Sequence, residues 1–171
     1  MITLYHGSTV IVDKPLANVG RRNLDFGLGF YVTNLREQAE KWAQLLTERK
    51  SRYGIPQLSI YELDDEAARL SGCHWLHFED YSLEWLDYVV GCRRGEQLWH
   101  PYDIVEGGVA NDNVIDTVDD YAMGIITAEQ ALGQLKYKKV NHQMCLINQD
   151  IIDRFLHFKE SIALSREEGI R

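Results

Sequence analysis

Residues 22–42 constrain the fold of this chain more than any other segment does. Gly27 and Gly29 flank a leucine, so the backbone there can take positive φ or let another segment or a ligand approach closely. The four residues that follow, Phe-Tyr-Val-Thr, are aromatic and β-branched and predict a strand. From Asn34, a capping-box pattern and apolar residues at helical spacing predict a helix to about Arg49. The unit is therefore a glycine-rich loop, a strand and a helix.

This glycine pair does not match the common phosphate-binding loops. The glycines precede the strand instead of following it, and the lysine of the P-loop is missing. A tight turn or a β-bulge explains a glycine pair before a strand equally well, and that alternative stays open.

Two segments together carry a resemblance to a known family. Residues 4–8, Leu-Tyr-His-Gly-Ser, predict a strand that ends at a histidine beside a glycine and a hydroxyl. With residues 25–33, Asp-Phe-Gly-Leu-Gly-Phe-Tyr-Val-Thr, they resemble the NAD-binding core of poly(ADP-ribose) polymerase-like ADP-ribosyltransferases. The third motif of that family lies on a late strand, where residues 141–147 offer Gln143. The chain looks like a His-Tyr-Gln variant of the His-Tyr-Glu clade, similar to an uncharacterised bacterial family of short stand-alone domains.

The resemblance implies a role for each matching residue. His6 would hydrogen-bond the adenosine-side ribose of NAD, and Gly7 would hold the nicotinamide amide through its backbone, with help from the Ser8 hydroxyl. Tyr31 would stack on the nicotinamide ring, and Gly29 belongs to the same cofactor-binding set. We therefore expect the His6 and Tyr31 side chains to open into one pocket from adjacent strands.

Gln143 is the expected third catalytic residue, and it departs from the glutamate of the family. A glutamine can hydrogen-bond a ribose hydroxyl but cannot act as a charged base. The departure favours transfer of a single ADP-ribose unit, or hydrolysis, over polymer formation. Alternation along the strand places Gln143, Cys145 and Ile147 on one face, and Gln143→Glu is expected to keep the geometry of the site.

Three further residues have two interpretations each. Arg22 can meet a pyrophosphate oxygen bidentately, or it can be an exposed loop charge. Asn111 and Asp112 follow a glycine pair and can line the acceptor side of the site, or they can simply form a turn after a strand.

Composition limits the classes of protein to consider. A chain of 171 residues with 45% hydrophobic residues predicts one ordered domain, residues 1–164, followed by a charged tail, 165–171. The net charge of −8 does not favour a protein that grips nucleic acid by neutralising phosphates. Three cysteines without C-x-x-C spacing, and histidines without ligand spacing, predict neither a disulfide framework nor a metal site. No segment approaches the roughly 18 apolar residues of a membrane span, so a cytoplasmic protein is expected.

Irregular alternation of strands and helices predicts an α+β fold with a split, mostly antiparallel sheet. N-cap patterns at Ser82, Thr127 and Asn148 predict the later helices. The resemblance implies an ADP-ribosyltransferase-like fold, with flanking helices and two small sheets around an NAD cleft. It also implies mono-ADP-ribosyltransfer to an unknown protein or nucleic-acid acceptor, and it suggests a toxin held by a partner antitoxin. The alternative is a non-catalytic module that binds NAD or ADP-ribose, or that makes protein contacts, and the missing glutamate keeps it open.

Overall fold

The computed structural model describes residues 1–50, 54–111 and 114–165, in which seven strands form two sheets and six helices cover them. In chain order the elements are β1 (Ile2–Ser8), β2 (Phe30–Val32), α1 (Arg36–Lys50), β3 (Gln57–Leu63), α2 (Asp65–Leu70), β4 (Trp75–His77), α3 (Leu83–Arg93), β5 (Ile104–Gly107), α4 (Ile115–Ala122), α5 (Ala128–Leu135), β6 (Gln143–Leu146), α6 (Gln149–Phe155) and β7 (Leu156–Ala163). This mixture confirms the predicted α+β class.

The two sheets are small and mostly antiparallel, as predicted. One has the strand order β1-β3-β7 and the other the order β2-β6-β5-β4. The strand pairs are antiparallel except for β4 with β5, which run parallel. The sheets meet where Tyr5 of β1 pairs with Thr33 after β2, through N–H···O=C hydrogen bonds of 2.8 and 3.0 Å.

Three apolar clusters hold these layers together. The first, between the sheets, takes Leu4 from β1, Phe30 from β2 and Met144 from β6. The second, here called the helix-side cluster, packs α3, α4 and α5 on the opposite face of the four-stranded sheet, where Cys145 lies. A small third cluster packs Ala39 of α1 against β3. Both faces of β6 are therefore buried, and alternation decides which cluster each of its side chains joins.

The helix after the glycine-rich loop begins slightly later than its capping pattern predicts. It starts at Arg36, because the Leu35 carbonyl accepts the first hydrogen bonds of the helix. The Thr33 hydroxyl accepts from the Leu35 N–H at 3.1 Å. The backbone N–H of Asn34 is held by His142 instead of starting a capping box. The predicted N-caps of α3, α5 and α6 are confirmed.

No helix within the described ranges is both long enough and apolar enough to cross a membrane.

Gly7 marks a close approach of α1 to the three-stranded sheet. A Cβ built on Gly7 would lie 1.9 Å from the carbonyl oxygen of Ala39, so α1 would have to move. We expect Gly7→Ala to lower the free energy of unfolding by about 1–3 kcal/mol or more. Gly133→Ala, in α5 with nothing within 4 Å, should raise it by roughly 0.5–1 kcal/mol. Urea unfolding measures both, and equal stability of Gly7→Ala and wild type would contradict this packing.

Candidate functional site

His6 lies near the end of β1, where the two sheets meet. Its Nδ1 lies 2.7 Å from the carbonyl oxygen of Tyr31, and a carbonyl only accepts, so Nδ1 carries the proton. Burial lowers the pKa of His6 and favours the neutral ring, although the bond to the Tyr31 carbonyl opposes this. No hydrogen bond reaches Nε2 from the described residues. The ring therefore offers Nε2 as an acceptor.

Tyr31 holds the glycine-rich loop against β2. Its hydroxyl donates to the Gly27 carbonyl at 2.7 Å and accepts from the Phe26 N–H at 3.0 Å. Gly27 has a φ of 82°, which is the positive φ that the glycine pattern predicts as one option. Burial raises the pKa of Tyr31 well above its ordinary value, so the hydroxyl stays protonated. The Tyr31 backbone lies directly opposite Cys145 of β6.

The His6 and Tyr31 rings lie on opposite sides of β2. The His6 ring packs on Phe30 with centroids 4.6 Å apart, and Phe30 belongs to the cluster between the sheets. Tyr31, the next residue along β2, packs against the helix-side cluster. The strands are adjacent, as predicted, but the side chains do not open into one pocket. His6 reaches Tyr31 through its backbone carbonyl instead.

Gln143 begins β6 and shares a side of the sheet with Tyr31. Cys145, two residues on and opposite Tyr31, belongs to the helix-side cluster, whereas Met144 belongs to the other cluster, so the predicted alternation is confirmed. The Nε2 of Gln143 donates to Asp25 Oδ2 and to the Gly108 carbonyl, each at 3.2 Å. Gln143 is 8% exposed. Asp25, in the glycine-rich loop, and Gln143, on β6, therefore form a buried polar pair.

Asp25 connects Gln143 to the rest of the site. Nothing in the sequence around Asp25 predicts that role. It is as buried as Gln143. Its Oδ1 accepts from Nε of Arg93 at 2.8 Å and forms an ion pair with Nη2 of the same guanidinium, also at 2.8 Å. Its Oδ2 accepts from the backbone N–H of Ala110 at 2.9 Å as well as from Gln143. Every partner donates, so the buried carboxylate is matched by a cation and two further N–H groups.

The remaining cofactor-binding candidates make local contacts. The Ser8 hydroxyl donates to the Val10 carbonyl at 2.7 Å and accepts from the Val10 N–H at 3.0 Å, which closes a turn after β1. A Cβ on Gly29 would lie 2.4 Å from Cys145 Sγ, so this glycine lets the loop pack on β6. Arg22 is exposed, which is compatible with both of its interpretations.

The acceptor-side candidates are only partly visible. The Asn111 carbonyl accepts from the N–H groups of Val114 and Ile115 at 2.9 and 2.8 Å, which is the turn that leads into α4. The other candidate, Asp112, lies outside the described residues. The backbone of Asn111 thus takes part in a turn after β5, as its turn interpretation predicts.

A second polar cluster joins β5 to the start of α1. The Nε2 of His142 donates to Glu106 at 2.8 Å, and the Asn34 N–H donates to His142 Nδ1 at 3.0 Å. Burial raises the pKa of Glu106, but the bonds from His142 and Trp75 outweigh it and hold that pKa below its ordinary value. Both ring nitrogens of His142 are thus occupied, which makes it a structural link and not a general base. No group of three or more potential metal ligands occurs in the described chain, this cluster included.

Comparison with known protein families gives a match. A family model described as "Protein of unknown function (DUF3990)" matches residues 2–158. The matched range includes β1, β2, β6 and the loop that carries Asp25. No curated protein and no solved structure matches the chain.

The role of the Tyr31 hydroxyl can be measured without any ligand. Tyr31→Phe removes both loop hydrogen bonds and leaves the N–H of fully buried Phe26 unpaired, so we expect a loss of about 1–3 kcal/mol in the free energy of unfolding. Tyr121→Phe is the control, because its hydroxyl donates to Asp87 at the surface, and should change stability by less than about 0.5 kcal/mol. Equal losses in urea unfolding would show that the hydroxyl does not hold the loop.

The protonation of His6 gives a pH prediction. Since burial lowers its pKa in the folded protein, unfolding favours its protonation. His6 therefore contributes stability that is present above its ordinary pKa of about 6.5 and is lost as the pH falls through the lower folded value. In ¹⁵N NMR, assigned with His6→Asn, the ring should carry its proton on Nδ1 and titrate below pH 6.5. A midpoint at or above that value would contradict the burial argument.

Proposed function

Because the chain belongs to the family described as "Protein of unknown function (DUF3990)", which states no activity, we propose a function from the site itself: transfer of one ADP-ribose unit from NAD to a macromolecular acceptor. The observation that carries this proposal is the meeting of β1, β2 and β6. Each strand brings one residue of the His-Tyr-Gln set, in the chain order that the resemblance requires.

The geometry supports the proposal in two ways. Tyr31 and Gln143 lie on one side of β2 and β6, connected by the loop that contains Asp25. His6 comes from the other sheet and bonds to the Tyr31 backbone. We accordingly interpret the two-sheet architecture as an ADP-ribosyltransferase-like fold, with the NAD cleft at the junction of the sheets.

Transfer of ADP-ribose requires an oriented NAD and groups that stabilise a positively charged ribose. Cleavage of the nicotinamide–ribose bond passes through an oxocarbenium-like transition state, as in glycoside cleavage. His6 Nε2 and Gln143 Oε1 have no hydrogen-bond partner among the described residues, and both are acceptors. Ribose hydroxyls are donors, so either acceptor fits a sugar hydroxyl, but the two lie on opposite sides of β2. We assign Gln143 Oε1, which shares a side with Tyr31, to the nicotinamide-side ribose. The Tyr31 ring would supply the stacking surface.

The neutral amide at Gln143 sets the expected product. An amide oxygen can orient a ribose hydroxyl, but it cannot accept the proton that a second transfer to that hydroxyl would release. In this proposal Gln143 therefore orients the sugar, the product is a single ADP-ribose unit, and the acceptor is a protein or a nucleic acid. A cytoplasmic toxin restrained by an antitoxin partner would be a further step on the same proposal.

A second candidate function has its own observation. The Tyr31 and Ser8 hydroxyls and the nitrogen of Gln143 are all engaged in bonds within the protein. Hydroxyl and amide groups that are already bonded within the protein favour a rigid binding surface over a catalytic one. The second candidate is thus a non-catalytic module that binds NAD or ADP-ribose, or that contacts another protein, on the same fold.

Release of nicotinamide from labelled NAD, with cell lysate as the source of acceptors, separates the two candidates. We expect release by the wild type and at least about tenfold less by Gln143→Ala, because an oriented acceptor at the reacting sugar is lost. Gln97→Ala, at an exposed glutamine, is the matched control and should keep full activity. Thermal unfolding confirms that each variant is folded.

Each of the other outcomes has a defined meaning. NAD binding without nicotinamide release would favour the non-catalytic module. Ladder-like products on a sizing gel, or full activity of Gln143→Ala, would contradict single-unit transfer guided by Gln143.

A further inference from the structure

We propose that Asp25 is a positioning residue that fixes the amide of Gln143, with its nitrogen toward the protein and its oxygen toward the substrate. The orientation of the amide is a property of this chain alone. Only the identity of what the oxygen contacts rests on the proposed function.

The two partners of Gln143 determine which way its amide faces. Nε2 carries two protons, and it lies 3.2 Å from both Asp25 Oδ2 and the Gly108 carbonyl. An ionised carboxylate and a carbonyl can only accept. Rotating the amide by half a turn would bring Oε1 against two acceptors and would lose both hydrogen bonds. The network therefore permits one orientation of the amide.

Asp25 can impose this orientation because its own carboxylate cannot rotate freely. Oδ1 is held by the guanidinium of Arg93 on α3, and Oδ2 is held by the backbone N–H of Ala110 after β5. Arg93 is in turn 3.7 Å from Asp119 of α4. Two helices and a loop thus fix the acceptor that faces Gln143.

The oxygen of Gln143 remains available to a ligand. Among the described residues, the Tyr88 hydroxyl is the one fully buried side-chain polar atom without a hydrogen-bond partner. Gln143 Oε1 accepts no hydrogen bond from those residues either. Gln143 keeps 8% of its surface exposed while its nitrogen is bonded on the protein side, so we infer that the exposed part includes Oε1. Asp25 and the Gly108 carbonyl, which together hold the Gln143 nitrogen, are here called the clamp. The clamp therefore presents one acceptor oxygen to whatever binds there.

Asp25 also explains why glutamine, not glutamate, is compatible with this site. A glutamate at position 143 would bring a carboxylate oxygen to the place of Nε2, against the Asp25 carboxylate and the Gly108 carbonyl. Two like charges in a buried site repel strongly. The expectation from sequence that Gln143→Glu keeps the geometry is therefore replaced by its opposite.

Thermal unfolding of four variants tests the charge repulsion without any ligand. Gln143→Glu should lower the melting temperature by at least about 6 °C, and by clearly more than Gln143→Met, which loses the hydrogen bonds without adding a charge. In the Asp25→Asn background, the extra loss caused by glutamate relative to methionine should disappear. An equal loss for both substitutions in the wild-type background, or an unchanged difference in the Asp25→Asn background, would overturn the proposal.

The side-chain amide of Gln143 gives a direct signature that needs no stable Asp25 variant. In ¹⁵N spectra of the wild type, assigned with Gln143→Met, both Nε2 protons should exchange with solvent at least about tenfold more slowly than those of exposed Gln97. Exchange of both protons at the rate of Gln97 would overturn the clamp even if Asp25→Asn failed to fold.

A kinetic measurement separates failure of the clamp from failure of the proposed function. If the wild type releases nicotinamide, folded Asp25→Asn should lose at least about tenfold in kcat with KM changed less than about threefold, because the acceptor is misaligned at the reacting sugar. An unchanged kcat would contradict the positioning role. Absence of release by the wild type would refute the transferase proposal, and the exchange and unfolding results would still decide whether Asp25 orients Gln143.

Discussion

The backbone hydrogen bonds between Tyr5 and Thr33 are the interaction on which the candidate site depends. They join two sheets that otherwise pair only within themselves. His6 follows one of these residues, and Tyr31 lies two positions before the other, so a single bridge sets the distance between two motifs. Because the bridge is a single residue pair, β1 and β2 otherwise belong to different sheets.

The buried carboxylates around the site are each compensated by hydrogen-bond donors. The Asp25 carboxylate is buried, which is costly unless each oxygen finds donors, and here Arg93, Ala110 and Gln143 supply them. Glu106 and His142 form a second compensated pair, at the start of α1. Each oxygen of both carboxylates accepts at least one hydrogen bond from the protein. Such networks favour one arrangement of the surrounding loops over many.

Local sequence predicted the parts of this structure that local contacts decide. The N-caps Ser82, Thr127 and Asn148 bond to groups two or three residues away, so a short pattern contains the whole interaction. Asp25 is different, because its partners lie 68, 85 and 118 residues along the chain. The expectation that the His6 and Tyr31 side chains share one pocket was wrong for a similar reason. The side of β2 on which each ring lies depends on how two separate sheets meet, and the local sequence does not contain that information.

The position of β6 has a consequence for how the protein is made. Although β6 is the sixth strand in sequence, it lies between β2 and β5 in the middle of its sheet. During synthesis, β2, β5 and β4 therefore leave the ribosome before the strand that must separate and join them. Until Gln143–Leu146 inserts, the four-stranded sheet has a gap, and Asp25 lacks one of its donors. A nascent or truncated chain that ends before β6 thus lacks Gln143 and the strand that joins β2 to β5, so the candidate site forms only after β6 has been synthesised.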